Sequence, residues 1–186
     1  MTVSVQLASL LRRYGTFLGF LLIVSFFWSQ RPDTFMTTRN WLNITQQVSI
    51  LCVISLTMTL VMVGGDFDLS VGSMASLSGM IAAVLWQQDV SLFGALGTAV
   101  LVGGFGGVFN GVLVAYAGLS AFVATLGTLT IFSGLALLVS DGKTIFGRAI
   151  PEIVGDFSRG GISLTEGIQL PNLTLIAVSV LIFMGI

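Results

Sequence analysis

The chain has 186 residues, of which 55% are hydrophobic and 8% charged, with a net charge of −1 and no histidine. A soluble domain carries about 25% charged residues, so this composition and a mean hydropathy of +1.03 place the chain in a membrane. Near-neutral charge without a basic, aromatic-interleaved patch argues against a nucleic-acid partner; one cysteine and no histidine exclude His/Cys zinc sites, a disulfide within the chain and Ser-His or Cys-His nucleophile pairs.

A membrane-spanning helix needs about 20 apolar residues. On that ruler the sequence reads as an all-α polytopic transmembrane bundle of about six spans. The first covers residues 15–29, behind Arg12 and Arg13. Ser29-Gln30-Arg31-Pro32 offers no small-x-small cleavage site, so this is a retained anchor rather than a cleaved signal peptide. A connection over 30–46 carries Arg31, Pro32, Asp33 and Arg39. The second span is 47–63, with Gln46 and Gln47 at its interfacial start and Cys52 as a small buried hydrophobe.

Next comes Gly64-Gly65-Asp66-Phe67-Asp68-Leu69-Ser70-Val71-Gly72-Ser73, two carboxylates between uncharged runs. One Asp at the centre of a membrane helix costs roughly 2.5–3.5 kcal/mol, and two about 5–7. The segment is therefore a broken or short helix near 64–73, at a membrane face or lining a watery cavity. The plain reading is capping: Asp68 or Ser70 holds the first amides of a third span over 70–87, with Gly64, Gly65 and Gly72 supplying a sharp turn. The functional reading is a half-helix terminus presented to solute. An intramembrane aspartyl protease would need a second embedded carboxylate. Asp33, Asp89 and Asp141 all fall in connections, so no catalytic residue is expected. No metal site or cofactor is expected either.

The fourth span, 92–117, carries Gly103, Gly107, Gly111 and Ala115 at four-residue spacing. Such a small-residue stripe lets helix backbones approach closely; tight packing is the plain reading, a dimer seam or sliding contact the sharper one. Asn110 needs a partner in hydrocarbon: an interhelical hydrogen bond, or a place on a substrate path. In the fifth span, 120–140, Thr125 and Thr128 share a face. They either bond back to their own helix or line a pathway. Residues 141–171 form a connecting loop of soluble-like composition, interrupted by Gly and Pro, with room for a short surface helix at most. The last stretch, 172–186, is apolar to its final residue with no Lys or Arg anchor, which reads as a fragment. Basic residues do not fix the orientation: Arg12 and Arg13 lie on one side, and Arg31, Arg39, Lys143, Arg148 and Arg159 on the other.

Three ordered blocks carry a resemblance. They are Asn43-Ile44-Thr45-Gln46-Gln47 followed by Met58-Thr59-Leu60-Val61 and Gly65–Ser73; Asn110-Gly111 with Ala115-Tyr116; and Ser120-Ala121-Phe122-Val123-Ala124-Thr125-Leu126-Gly127-Thr128. Over residues 35–145 the chain resembles the permease subunits of ribose/xylose-type sugar ABC importers, with Asp68-Leu69-Ser70-Val71-Gly72-Ser73 the most specific element. The resemblance implies a bacterial inner-membrane, multi-pass permease component that carries a sugar solute by alternating access and is not itself an enzyme. It implies four kinds of partner: an ABC ATPase subunit, a periplasmic sugar-binding protein, a second permease copy or paralogue, and membrane lipid. It also implies a cytoplasmic amino terminus and a periplasmic 141–171 loop that docks the binding protein. The expected positions near the pathway are Asp66, Asp68, Ser70 and Asn110, with Thr125 and Thr128. Phe67 and Trp86 could stack on a sugar ring, though packing is their plainer role. Family members have a second half with a Gly-rich cytoplasmic coupling loop that these residues do not include, so the chain alone is expected not to transport. Two other readings stay open: a truncated, non-transporting membrane fragment, and an ATP-independent carrier or channel.

Overall fold

The computed structural model describes residues 2–165 and 168–184. Eight helices account for most of them: α1 (Thr2–Gln30), α2 (Pro32–Phe35), α3 (Thr38–Val63), α4 (Val71–Gln87), α5 (Leu92–Ala115), α6 (Ala121–Val139), α7 (Glu152–Arg159) and α8 (Asn172–Met184). The chain is all-α in class. Among the described residues, four helical stretches are long and apolar enough to cross a membrane: Leu11–Gln30, Thr38–Val63, Leu92–Ala115 and Ala121–Val139. Helices α4, with 17 residues, and α8, with 13, are apolar but shorter. At 1.5 Å per residue they reach about 25 and 20 Å, against a hydrocarbon core of about 30 Å.

Helix starts follow local chemistry. Thr37, Ser91 and Ser120 each accept a hydrogen bond from the backbone amide three residues on, at Asn40, Gly94 and Val123. Each thereby satisfies one orphan donor of a helix amino end. The Thr37 cap moves the start of α3 well before residue 47. Gln46 and Gln47 therefore lie inside the helix rather than at its start, a correction to the expectation drawn from hydropathy alone. Cys52 is half-buried rather than buried. The carboxyl end of α3 closes on glycine. The amide of Gly65 donates to Met62 O at 3.0 Å and that of Asp66 to Val61 O at 3.3 Å, with Gly65 at φ +90°. That left-handed conformation is open to glycine at little cost.

Helix α4 packs between α5 and α6. Leu77, Phe132 and Ala136 form the core there, with Met74, Met80, Ile81 and Val102 packed against it. A second unit pairs α3 with α8, tied by Ser49 Oγ to Thr174 Oγ1 at 3.1 Å. The 141–171 connection holds more than the short surface helix expected: a 3-10 turn at Gly147–Ala149, then α7, then an antiparallel hairpin of β1 (Gly161–Thr165) and β2 (Ile168–Pro171). The Gln46 side chain reaches out of α3 and donates to Ser158 O and Oγ at 2.6 and 2.9 Å. Asn172 Nδ2 donates to Phe157 O at 2.9 Å. These bonds pin α7 to α3 and to the start of α8.

The accessible surface is 13185 Å², against about 8,600 Å² expected for a compact soluble chain of this mass. Much of the excess is apolar. None of the Leu11–Gln30 span is buried, and Phe93, Val100, Leu101 and Phe105 stand exposed on α5. Apolar surface of that extent is covered by lipid or by further helices.

Candidate functional site

The loop between α3 and α4 enters the α4–α5–α6 unit and is held there by side chains from all three helices. Ser70 occupies the position before α4 that Thr37, Ser91 and Ser120 occupy before their helices, yet its hydroxyl makes no capping bond. Instead Ser70 Oγ donates to Asp68 Oδ1 at 2.7 Å, and the Ser70 amide donates to the same oxygen at 2.8 Å. With its proton committed to Asp68, Ser70 Oγ accepts from Asn110 Nδ2 of α5 at 2.7 Å. Thr125 of α6 completes the clasp. Its Oγ1 accepts from the Leu69 amide at 3.1 Å and donates to Ala121 O at 2.7 Å. Thr128 Oγ1 donates back to Thr125 O at 3.3 Å, the helix-internal bond a threonine makes by default.

This arrangement overturns the capping expectation. Asp68 serves the amide just ahead of the helix rather than an amide within it, and Ser70 links Asp68 to Asn110 in place of capping. The clasp is deeply buried: Ser70 and Thr125 are 2% exposed and Asn110 6%. Replacing one partner of a buried pair costs about 1–3 kcal/mol, because the other is left without water. Among the described residues, Asn110 Oδ1 is a buried acceptor with no donor.

Beside the clasp lies a cavity of about 250 Å³, bordered by Asp66, Phe67, Asp68, Asn110 and Thr125, by Gly107, Gly111 and Ala115, and by apolar side chains of α3, α5 and α6. Its volume is near the small end of ligand pockets, about 300–1,000 Å³. Four of the six polar positions singled out from the sequence therefore meet at one cavity wall. Ser70 and Thr128 do not; they sit buried behind it.

The small-residue stripe divides. Gly103 approaches Ser78 Oγ, with 3.4 Å left for a β-carbon, whereas Gly107 and Gly111 meet nothing within 4 Å. Among the described residues, the tightest approach of an α5 glycine to another helix is at Gly106, which is buried and where a β-carbon would run into Met74 Cε. Sequence spacing names Gly106 only as broadening the stripe, because the paired glycines Gly103-Gly104 and Gly106-Gly107 offer two stripes 100° apart on one helix. Trp86, named for stacking, lies outside the cavity, and its buried Nε1 has no acceptor among the described residues. Phe67 borders the cavity and is half exposed. Groups of three or more metal-ligating side chains do not occur among the described residues.

The family model described as branched-chain amino acid transport system / permease component matches residues 40–185. The D-allose transport system permease protein of Escherichia coli K12 is 36% identical over 172 residues, covering 92% of this chain and 51% of that protein. The ribose import permease protein of Haemophilus influenzae is 33% identical over 144 residues, covering 77% of this chain and 44% of its own length. Its namesake in Bacillus subtilis 168 is 31% identical over 173 residues, covering 93% and 52%. The chain spans about half the length of the curated relatives it matches. No solved structure matches it.

Proposed function

This chain belongs to the family of branched-chain amino acid transport system / permease components, and on that premise we propose that it forms part of the solute path of an ATP-driven sugar importer. The protein is a multi-pass membrane protein. One observation carries the proposal. Asp66, Asp68, Asn110 and Thr125, from three separate stretches of an otherwise apolar sequence, border a single cavity between membrane helices. Polar side chains are expensive at that depth, and they persist where they line a path.

The mechanism follows from what such a wall can do. Carboxylates, an amide and a hydroxyl exchange hydrogen bonds with a hydroxylated solute as it sheds water. The clasp fixes the loop that carries Asp66 and Asp68 against α5 and α6, so movement of these helices alters the wall itself. ATP binding and hydrolysis belong to a separate ATPase subunit, and solute arrives on a periplasmic sugar-binding protein. A second permease copy or paralogue completes the path. Asp66 and Asp68 act as acceptors along it, and Ser70 and Thr128 support it from behind.

The test is uptake of D-allose and D-ribose into vesicles holding the assembled permease that carries this sequence, its ATPase and its binding protein. Uptake that requires ATP and falls at least tenfold in Asp68→Asn, at unchanged membrane abundance, is expected. Flux that persists without ATP contradicts the reading and favours a carrier or channel. Equal uptake by Asp68→Asn removes the cavity from the path.

A further inference from the structure

The hydrogen-bonding capacity around the cavity is lopsided. Asp66 and Asp68 present carboxylate oxygens, which in their ionised form only accept. The Ser70 proton is spent on Asp68 and the Thr125 proton on Ala121 O. The Ser70 bond also fixes which way Asn110 points. Because Ser70 Oγ must accept from Asn110, the amide nitrogen faces Ser70 and the carbonyl Oδ1 is left over. Asn110 is more than nine-tenths buried and also borders the cavity. A buried acceptor without a donor costs about 1–3 kcal/mol, so its retention calls for a donor from outside the described residues.

Resting on the solute-path reading above, we infer that Asn110 is a specificity-determining residue. Its Oδ1 and the Asp68 carboxylate together form an acceptor pair that takes a hydroxyl group, as donor, from the solute. Oδ1 is covered in this arrangement. To face the cavity, Asn110 turns about its broad terminal torsion and gives up its bond to Ser70, so taking a solute hydroxyl competes with holding the clasp. The half-exposed Phe67 supplies an apolar face beside the pair. The subsite reads hydroxyl protons, so it distinguishes a free sugar from one in which fluorine, close to hydroxyl in size but unable to donate, replaces a hydroxyl. The same chemistry could come from a donor side chain on a further helix, in which case neither loss of a sugar hydroxyl nor Asn110→Leu changes ribose binding.

The assembled permease that carries this sequence is placed in lipid nanodiscs and probed by saturation-transfer NMR with D-ribose and with its monofluorinated analogues, in each of which fluorine replaces one hydroxyl. This direct measurement needs neither the ATPase nor the binding protein, so its failure is distinct from a failure of transport. The expected result is saturation transfer to ribose, reduced about tenfold for at least one fluorinated sugar and about tenfold in Asn110→Leu. Asn110→Asp, close in shape, keeps an acceptor oxygen and retains more ribose signal than Asn110→Leu. The fluorinated probes need no variant, so the test stands even where Asn110→Leu does not fold. Equal transfer to ribose and to every fluorinated sugar, or none to ribose, overturns the inference.

Discussion

Two clefts in this chain are built from similar helices and differ in what they leave unsatisfied. The one between α3 and α8, about 340 Å³, is lined by Ile50, Val53, Ile54, Ala75, Leu173 and Ile176, with Ser49 as its polar member. Ser49 is fully served: its Oγ lies 2.6 Å from Thr45 O and 3.1 Å from Thr174 Oγ1. The other, about 250 Å³, has carboxylates at its edge and an amide oxygen without a donor. A lipid tail or an apolar side chain fills the first with no polar loss. The second keeps a polar atom unmet among the described residues. Polar residues between these helices thus divide into those that serve one another and those left with an unmet acceptor, and hydrogen-bond accounting separates them where composition does not.

The sharpest break in the comparison comes from overpacking. Gly106→Leu drives a side chain into Met74 and Phe132 and costs about 3 kcal/mol, read as a shift in SDS-driven unfolding in mixed micelles. Gly107→Leu, one residue on and facing the cavity, changes stability by less than about 0.5 kcal/mol. Equal effects would mean that the α4–α5 contact is misplaced. Next in size is Thr125→Val, which leaves the buried Leu69 amide without its acceptor and costs about 2 kcal/mol in the same assay. Ser70→Ala strands Asn110 Nδ2 while Asp68 keeps the Ser70 amide, at about 1–2 kcal/mol. If Ser70 were an ordinary cap, Ser70→Asp would be tolerated as at other helix starts; the clasp predicts that it destabilises more than Ser70→Ala. The smallest effect belongs to the Ser49–Thr174 pair. A double-mutant cycle of Ser49→Ala and Thr174→Val gives a coupling of about 0.6 kcal/mol, because Ser49 keeps its bond to Thr45 O when Thr174 is gone.

Much of this architecture was legible in the sequence. Hydropathy located α5 and α6 to within a few residues, since Ser91 and Ser120 sit where the apolar runs begin. It misjudged α3 because Thr37 and the polar turns up to Gln47 form helix before the apolar run starts. The hairpin over 161–171 escaped notice because its strands are short and pair with each other rather than with a larger sheet. Asp66, Asp68, Asn110 and Thr125 were conspicuous as polar residues in apolar surroundings. Their convergence was not, because it depends on how α4 sits between α5 and α6. Nor could spacing reveal that Ser70 forgoes capping: a serine before a helix reads the same whether its hydroxyl turns to the amides or to a neighbouring asparagine.

Water access tests the central claim most directly, since a solute path holds water and a lipid-filled cleft does not. In a Cys52→Ala background, Gly111→Cys and Val114→Cys place thiols on the polar cavity, and Ile50→Cys places one on the apolar cleft. Thiols react as thiolates, which form only where water reaches. The account predicts that a charged, membrane-impermeant maleimide labels the two cavity positions at least about tenfold faster than Ile50→Cys, and that D-ribose slows the cavity labelling alone. Labelling of Gly111→Cys and Val114→Cys no faster than Ile50→Cys would contradict it.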